Sequence, residues 1–285
     1  MNRYMDVFTK LSIHPLFWVL IAVGVMTAHF REILILFSIV FIHELGHALA
    51  AAHYRWRIKQ IQLLPFGGVA ELEEHGNKPL KEELVVIAAG PIQHVWMMGA
   101  AYALYETGML SSYLYTTFFW SNISLLLFNL LPIWPLDGGK IMFNVLSTRW
   151  PFLAAHRRML LISSIFFCLI ALGGLFLNTL NLTMWVMLCF LATSIYLEWK
   201  QQKYAFMRFL LDRYYGGKRT IEKIDVITVN ETMPLYTIFE QFRRGYKHSV
   251  VIKGRREQYT LDENELLYAY FTEKRISSSI GELIG

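Results

Sequence analysis

Two histidines and a glutamate stand close together in a long apolar segment of the sequence. They are His43, Glu44 and His47, within residues 33–52. A helix places His43 and His47 on one face, one turn apart, so both imidazoles can bind one metal ion. Glu44 projects beside them, where a carboxylate can accept a proton from an attacking water molecule. This spacing predicts a zinc site that hydrolyses a bond.

A zinc ion that catalyses hydrolysis needs a third protein ligand and a position left for water. Asp137 is the candidate, because it lies in a segment rich in proline and glycine that cannot continue a regular helix. Irregular backbone at membrane depth is tolerated where it is buried in protein or lines a wet cavity. The alternative is that Asp137 caps a helix or a turn on the cytoplasmic side. Asn129 nearby either orients the substrate backbone or makes an interhelical hydrogen bond.

The composition indicates which elements position these residues. Of the 285 residues, 55% are hydrophobic and 17% are charged, whereas soluble domains have about 25% charged residues. Stretches long enough to cross a bilayer are residues 11–30, 33–52, 84–105, 113–134, 159–177 and 180–198. We therefore predict an all-α polytopic membrane domain of six transmembrane helices with one small membrane-associated hairpin. We place this domain at 1–198, a cytoplasmic linker helix at 199–220 and a small cytoplasmic α+β domain at 221–285.

The distribution of Lys and Arg predicts the orientation of these spans. Two precede the first span; the successive loops then hold one, five, none, four and none, and the tail holds fifteen. The positive-inside rule therefore places both termini in the cytoplasm. The net charge of +5 then reflects topology and attraction to anionic headgroups of the lipid bilayer. Direct nucleic-acid binding is not expected, because the basic residues form no single recognition element.

The metal-site residues belong to a longer pattern, which resembles the site-2 protease family of intramembrane metalloproteases. That family pairs His-Glu-x-x-His in one membrane helix with an Asn-x-x-Pro segment ending in Asp-Gly in a later one. The matching residues are His43, Glu44, His47, Asn129, Pro132, Pro135, Asp137 and Gly138. A middle element of the family, Ala-Gly-Pro-x-x-Asn, carries His94 in place of the usual asparagine. The resemblance implies an intramembrane protease with one Zn²⁺ per chain, and substrate contacts for Asn129 and Pro135.

The segment Pro65-Phe66-Gly67-Gly68-Val69 resembles the membrane-dipping hairpin of the same family. We expect Gly67 and Gly68 to form its turn, and Phe66, Gly67 and Gly68 to contact the substrate. An edge strand of this hairpin can capture an unwound substrate by strand addition. The alternative is a plain cytoplasmic turn.

The tail from about residue 220 is similar to a CBS (cystathionine-β-synthase) module. Only one copy is visible, so we expect a homo-oligomer in which the copies pair between chains. The resemblance implies an adenine nucleotide such as ATP as ligand. However, Tyr259, Asp262 and Glu265 stand at the positions that usually contact its phosphates, and the acidic residues argue against that contact.

Within the family, six spans followed by a cytoplasmic C-terminal domain look most like bacterial members that act in sporulation. That resemblance implies a membrane-associated sigma-factor precursor, pro-sigma-K, as substrate. It also implies regulatory membrane proteins as partners and a location in the bacterial membrane, around the forespore in a sporulating cell.

Two other classes of protein are compatible with a metal site in a membrane helix. A divalent-metal transporter with a cytoplasmic regulatory domain would also use intramembrane His and Asp side chains on a broken helix. Glu44 would then have no clear task, and the His-containing segment has no inverted repeat. A catalytically inactive membrane adaptor is disfavoured, because the metal and base positions are both intact.

Overall fold

Helices carry most of the described chain. The computed structural model describes residues 11–13, 21–22, 25–27, 30–56, 58–64, 67–72, 78–176, 182–216, 223–253, 258–276 and 278–283. Their helices are α1 (Phe30–His53), α2 (Leu80–Glu106), α3 (Ser112–Asn129), α4 (Asp137–Ser147), α5 (Phe152–Phe176), α6 (Leu182–Tyr215), α7 (Leu235–Phe239) and α8 (Glu263–Phe271). The strands are β1 (Leu11–Ile13), β2 (Ile58–Leu64), β3 (Gly67–Leu72), β4 (Ile224–Asn230), β5 (Lys247–Lys253) and β6 (Gln258–Asp262), and Ile280–Leu283 form a 3₁₀ helix.

Among the described helices, α1, α2 and α5 are long and apolar enough to cross a membrane. The arrangement of six spans therefore stays a prediction. The expected first span, 11–30, is wrong at its start, because Leu11–Ile13 form β1. These three residues pair with β2 in a sheet and therefore do not begin a helix.

The predicted hairpin is present as β2 and β3, which pair antiparallel. The prediction that Gly67 and Gly68 form its turn is wrong, because Gly67 pairs with Leu64 and Gly68 with Leu63. Two-residue connections are the commonest in hairpins, and here the two intervening residues, which include Phe66, lie outside the described residues. Strand β1 pairs parallel with the other edge of β2. The outer edge of β3 therefore remains free in the described sheet.

Helices α1 and α2 approach each other closely at two glycines. A Cβ added at Gly46 on α1 would lie 2.6 Å from the carbonyl oxygen of Ala89 on α2, and a Cβ added at Gly90 would overlap the imidazole of His47. Small residues allow helix backbones in a membrane to pack at short distance. The same contact brings α2 against the face of α1 that carries the two histidines.

The C-terminal elements form a second sheet, in which β4 pairs parallel and β6 antiparallel with β5. Their core is continuous with the end of the helical part: Phe152 of α5, Phe209 of α6 and Ile280 belong to one buried apolar cluster. Helix α6 has 34 residues, about 51 Å at 1.5 Å per residue. It runs without a break through the proposed boundary at 198–199, so the division into domains stays a prediction.

Candidate metal centre

Three possible metal ligands from two separate elements meet in the interior. His43 Nε2 and His47 Nε2, both on α1, lie 3.1 Å apart. The Asp137 Oδ2 atom, at the first residue of α4, lies 3.1 Å from the first nitrogen and 3.2 Å from the second. All three side chains are buried. The helical spacing of the histidines and the inward reach of Asp137 therefore occur as the sequence predicts.

The tautomer of His47 is fixed by a backbone contact. Its Nδ1 lies 2.8 Å from the carbonyl oxygen of Val86 on α2. Because a carbonyl oxygen only accepts hydrogen bonds, Nδ1 carries the proton and donates it to Val86. The Nε2 atom then keeps its lone pair for a metal ion.

His43 is held by a chain of two further side chains. Its Nδ1 lies 3.0 Å from Nε2 of His94 on α2, and Nδ1 of His94 lies 2.5 Å from Oδ1 of Asn122 on α3. The Asn122 oxygen accepts from His94 Nδ1, so neutral His94 accepts at Nε2 from the Nδ1 of His43. His43 Nε2 is thus also left unprotonated and directed toward Asp137.

The three converging atoms fit a zinc ion. Because both histidines are protonated at Nδ1, the three converging atoms (the two Nε2 atoms and Asp137 Oδ2) all carry lone pairs and no proton. Asp137 Oδ2 has no hydrogen-bond partner in the described structure. Such a cluster is stable when a cation lies among the three atoms. Ligand atoms about 2.0–2.1 Å from a tetrahedral Zn²⁺ are about 3.3 Å apart, close to the separations found here. Two imidazoles and one carboxylate are also a common donor set of hydrolytic zinc sites.

The irregular segment before Asp137 is held in place by α4 and α5. The hydroxyl oxygen of Ser163 on α5 accepts a hydrogen bond of 3.0 Å from the backbone N–H of Trp134. Gly139 lies so close to this segment that an added Cβ would be 2.6 Å from the carbonyl carbon of Ile133. Lys140 Nζ lies 3.9 Å from Asp137 Oδ1. The broken helix is therefore an ordered element that directs one carboxylate oxygen to the histidines.

The other predicted site residues take different positions. Glu44 is buried on α1, next to His43 in sequence and with 8% of its surface exposed. Asn129 is the last residue of α3 and Pro135 lies in the irregular segment. Gly67 and Gly68 lie in β3, and Phe66 is outside the described residues. Among the His, Cys, Asp and Glu side chains of the described residues, His43, His47 and Asp137 are the group close enough together to hold a metal ion.

Sequence reasoning missed several residues that support this cluster. His94 was visible only as a departure from the family pattern, with no role attached to it. The contacts of Asn122 and Ser163 carried no local signal, because each residue bonds to a partner on another element. Lys140 contacts Asp137 within α4, three residues along the chain, and the sequence reasoning did not use that spacing. Their positions follow from the packing of α2, α3 and α5 around α1 and α4.

We expect His94→Ala to weaken zinc binding by roughly 10- to 100-fold, as loss of outer-shell partners does elsewhere. The substitution leaves His43 Nδ1 without its acceptor and the His43 ring free to rotate. His94→Asn places a carboxamide oxygen at the position as an alternative acceptor and should recover part of the affinity. Competition with a chromogenic chelator measures the dissociation constant. His53→Ala, at the exposed end of α1, is the control and should bind zinc as the wild type does. Equal affinities for His94→Ala and wild type would contradict the role of His94.

Comparison with known proteins assigns the chain to a family. The sequence model of peptidase family M50 matches residues 31–109 and 104–172, which include the histidines and Asp137. The chain belongs to this family, and the resemblance to site-2 proteases is confirmed. It is an intramembrane zinc metalloprotease, and the transporter interpretation finds no support in its relatives.

One curated relative is similar over the whole chain, and two other comparisons cover part of it. Stage IV sporulation protein FB of Bacillus subtilis (strain 168) is 46% identical over 285 residues, which is 100% of this chain and 99% of that protein. A zinc metalloprotease of Methanocaldococcus jannaschii is 33% identical over 128 residues, 44% of this chain and 37% of that protein. The solved structure of the site-2 protease from the same archaeon has 28% identity and a TM-score of 0.49, and the match covers 67% of this chain and 89% of that one.

Proposed function

We propose that His43, His47 and Asp137 hold the catalytic Zn²⁺ and that Glu44 is the general base and acid. The protease then removes the pro-sequence of a membrane-associated sigma-factor precursor, pro-sigma-K. The observation that carries the site assignment is the convergence of three unprotonated ligand atoms within 3.1–3.2 Å of one another. The similarity over the full chain to a stage IV sporulation protein supports the substrate class.

The chemistry divides between the ion and this chain's own residues. Zn²⁺ bound here supplies Lewis acidity, which lowers the pKa of water toward about 7 and polarises the scissile carbonyl. Glu44 accepts the proton of the attacking water and then donates it to the leaving amide nitrogen. Val86 and His94 keep His47 and His43 in the tautomer that leaves Nε2 free. The surrounding helices exclude bulk water, which strengthens each of these electrostatic interactions.

A transmembrane substrate must be locally unwound, since helical peptide bonds are shielded by their own hydrogen bonds. We assign its capture to the free outer edge of β3, which begins with Gly67 and Gly68, and to Phe66 before it. Strand addition at this edge would hold the substrate extended through backbone hydrogen bonds. Asn129 and Pro135, at the end of α3 and in the irregular segment, then orient the peptide near Asp137. The partial exposure of Asn129, whose side chain makes no hydrogen bond within the described residues, supports this assignment.

The proposal places the chain as a six-span protein in a bacterial membrane, with both termini in the cytoplasm. In a sporulating cell this is the membrane around the forespore, where regulatory membrane proteins would control cleavage. The alternating Lys and Arg counts support the orientation. Asp137 precedes a basic loop, so the active site would face the cytoplasmic half of the bilayer, from which a sigma-factor precursor is accessible.

For the C-terminal unit we propose a CBS-like domain over residues 221–285 that pairs with a second copy of the chain. The order β4, α7, β5, β6, α8 agrees with such a module. Ile224 and Val226, on one face of β4, are 67% and 59% exposed. This uncovered apolar face supports pairing through the sheet.

An adenine nucleotide at this domain stays a prediction. A cavity of about 460 Å³ adjoins α8, which is large enough for a nucleotide. Among its lining residues are Glu265 and Glu273, whereas Arg275, also in the lining, is paired with Glu273. Glu265 also accepts a hydrogen bond from the backbone N–H of Asp262. These carboxylates would repel phosphate groups, as the sequence comparison with CBS modules indicates.

The test uses the full chain purified and reconstituted in lipid vesicles with membrane-tethered pro-sigma-K. We expect one cleavage that releases the pro-sequence, stops when a zinc chelator is added and resumes when Zn²⁺ is restored. A membrane-tethered control protein of similar length should stay intact. Transport of zinc without cleavage would favour the transporter, and cleavage of the control at the same rate would refute the substrate assignment.

A further inference from the structure

One buried arginine crosses from the C-terminal elements to the helical part. Arg244 follows α7 and is only 2% exposed. Its Nη2 donates to Glu83 Oε2, and the carbonyl oxygen of Lys78 lies 3.4 Å from the same nitrogen. Its guanidinium carbon lies 5.5 Å from the ring centre of Phe143 on α4. Arg244 therefore contacts both the first turn of α2 and the middle of α4.

The loop that carries Arg244 is held in place by hydrogen bonds from Arg213 and to His248. Arg213, near the end of α6, donates to the carbonyl oxygens of Arg243 and Tyr246 on either side of Arg244. Arg213 is itself paired with the buried Glu263. His248 Nδ1 donates to Glu263 Oε2 over 3.0 Å, and His248 Nε2 accepts from the backbone N–H of Arg243. These bonds fix the backbone around Arg244.

The charge of this supporting cluster persists at physiological pH. Burial raises the pKa of Glu263, but hydrogen bonds from His248 and Arg213 outweigh burial and lower its pKa to about 2. Glu263 therefore remains ionised and keeps Arg213 in place across the neutral range.

A second contact of the same loop reaches α5. The carbonyl oxygen of Phe242 accepts a hydrogen bond of 2.9 Å from the N–H of Phe152, the first residue of α5. The rings of Phe152 and Phe143 pack edge to face at 5.5 Å. The loop thus contacts the junction of α4 and α5 as well as the start of α2.

These contact points lie close, along their helices, to the groups that shape the metal site. Glu83 is three residues, or less than one turn, before Val86, whose carbonyl oxygen holds His47. Phe143 is six residues from Asp137, about 9 Å along α4. Helix α2 supports the two histidines, and α4 supplies the third ligand. The loop of Arg244 therefore joins the two elements whose relative position sets the distance between Asp137 and the histidines.

We propose that Arg244 is a positioning residue, which couples docking of the C-terminal domain to the alignment of Asp137 with His43 and His47. Arg244 contacts neither substrate nor metal and acts through Glu83 and Phe143. Loss of the ion pair lets α2 and α4 shift relative to each other, so zinc dissociates faster and turnover falls. The inference rests on the metal site proposed above, but it concerns a separate contact.

The experiment compares the full-length chain with Arg244→Gln, Glu83→Gln, the double variant and the charge exchange of Arg244→Glu with Glu83→Arg. Zinc loss to excess chelator is followed without substrate, and kcat and KM are measured with pro-sigma-K. We expect each single variant to lose zinc roughly 2- to 30-fold faster, with lower kcat and unchanged KM. The double variant should be no worse than either single one, and the charge exchange should restore part of the retention. Melting temperatures identify any variant that fails to fold.

Lys247→Gln is the matched control. It removes an ion pair with Asp262 that is exposed and lies within the C-terminal domain, so zinc loss should match the wild type. The proposal is overturned by unchanged zinc loss and kcat in Arg244→Gln, by additive effects in the double variant, or by an equal effect of Lys247→Gln. A wild-type chain that binds no zinc would overturn the metal site and this proposal with it, whereas zinc binding unaffected by Arg244→Gln overturns this proposal alone.

Discussion

Glu44→Gln is expected to abolish cleavage while the zinc content stays near one ion per chain. Glutamine has almost the shape of glutamate, but it cannot accept the proton of the attacking water or return it to the leaving nitrogen. Loss of a general base typically lowers the rate by roughly 10²–10⁴-fold. Cleavage of membrane-tethered pro-sigma-K measures the rate, and elemental analysis of the same sample measures the metal.

Glu106→Gln provides the matched control for this substitution. Glu106 is the exposed last residue of α2, so the same chemical change is made far from the metal ligands. We expect its cleavage rate to match the wild type. Turnover of Glu44→Gln within threefold of the wild type would remove Glu44 from its role as general base.

Asp137→Ala is expected to lose both the zinc ion and all measurable cleavage. The two histidines alone leave the ion short of a ligand, and the removed carboxylate is also the negative charge that offsets the cation. Affinity should fall more than for His94→Ala, since a direct ligand is lost. Asp137→Asn, which keeps an oxygen donor without the charge, should retain an intermediate affinity.

Zinc titration with a competing chelator distinguishes these variants. Asp225→Asn serves as control, because Asp225 is a half-buried partner of Arg243 in the C-terminal domain, away from the metal ligands. Its affinity should equal that of the wild type. Full zinc content and normal cleavage in Asp137→Ala would show that the third ligand is another residue.

The residues of the candidate metal centre could be picked out from the sequence, because local geometry determines which of them lie together. His43, Glu44 and His47 lie within five positions, where one turn of helix fixes which side chains share a face. Asp137 could be picked out because Pro132 and Pro135 mark the break before it. Hydropathy alone also locates α1, α2 and α5, because their long apolar runs are unfavourable in contact with water.

Contacts between distant elements could not be predicted, because no local period records them. His94 and Asn122 are 28 residues apart, and Arg244 and Glu83 are 161 residues apart. Each pair exists only after the helices have packed. Hydropathy also predicts a helix for the apolar run that begins at Leu11, because it does not distinguish a short paired strand from the start of a membrane span.

The turn of the hairpin was misplaced for a related reason. Two adjacent glycines favour a turn by backbone freedom, but the strand register of β2 and β3 places Gly67 and Gly68 in the ladder. Register depends on the pairing of the whole strand, to which the flanking sheet contributes. The position of a free edge, where a substrate would be bound, is therefore a property of the folded sheet.

The apolar cluster that joins Phe152, Phe209 and Ile280 has a consequence for biosynthesis. Phe152 is made long before Ile280, so the parts of α5 and α6 in this cluster cannot be fully covered until nearly all of the sequence has left the ribosome. A prematurely terminated chain would present this apolar surface to chaperones and quality-control proteases, which recognise such surfaces. Burial of this apolar cluster therefore waits for completion of the polypeptide.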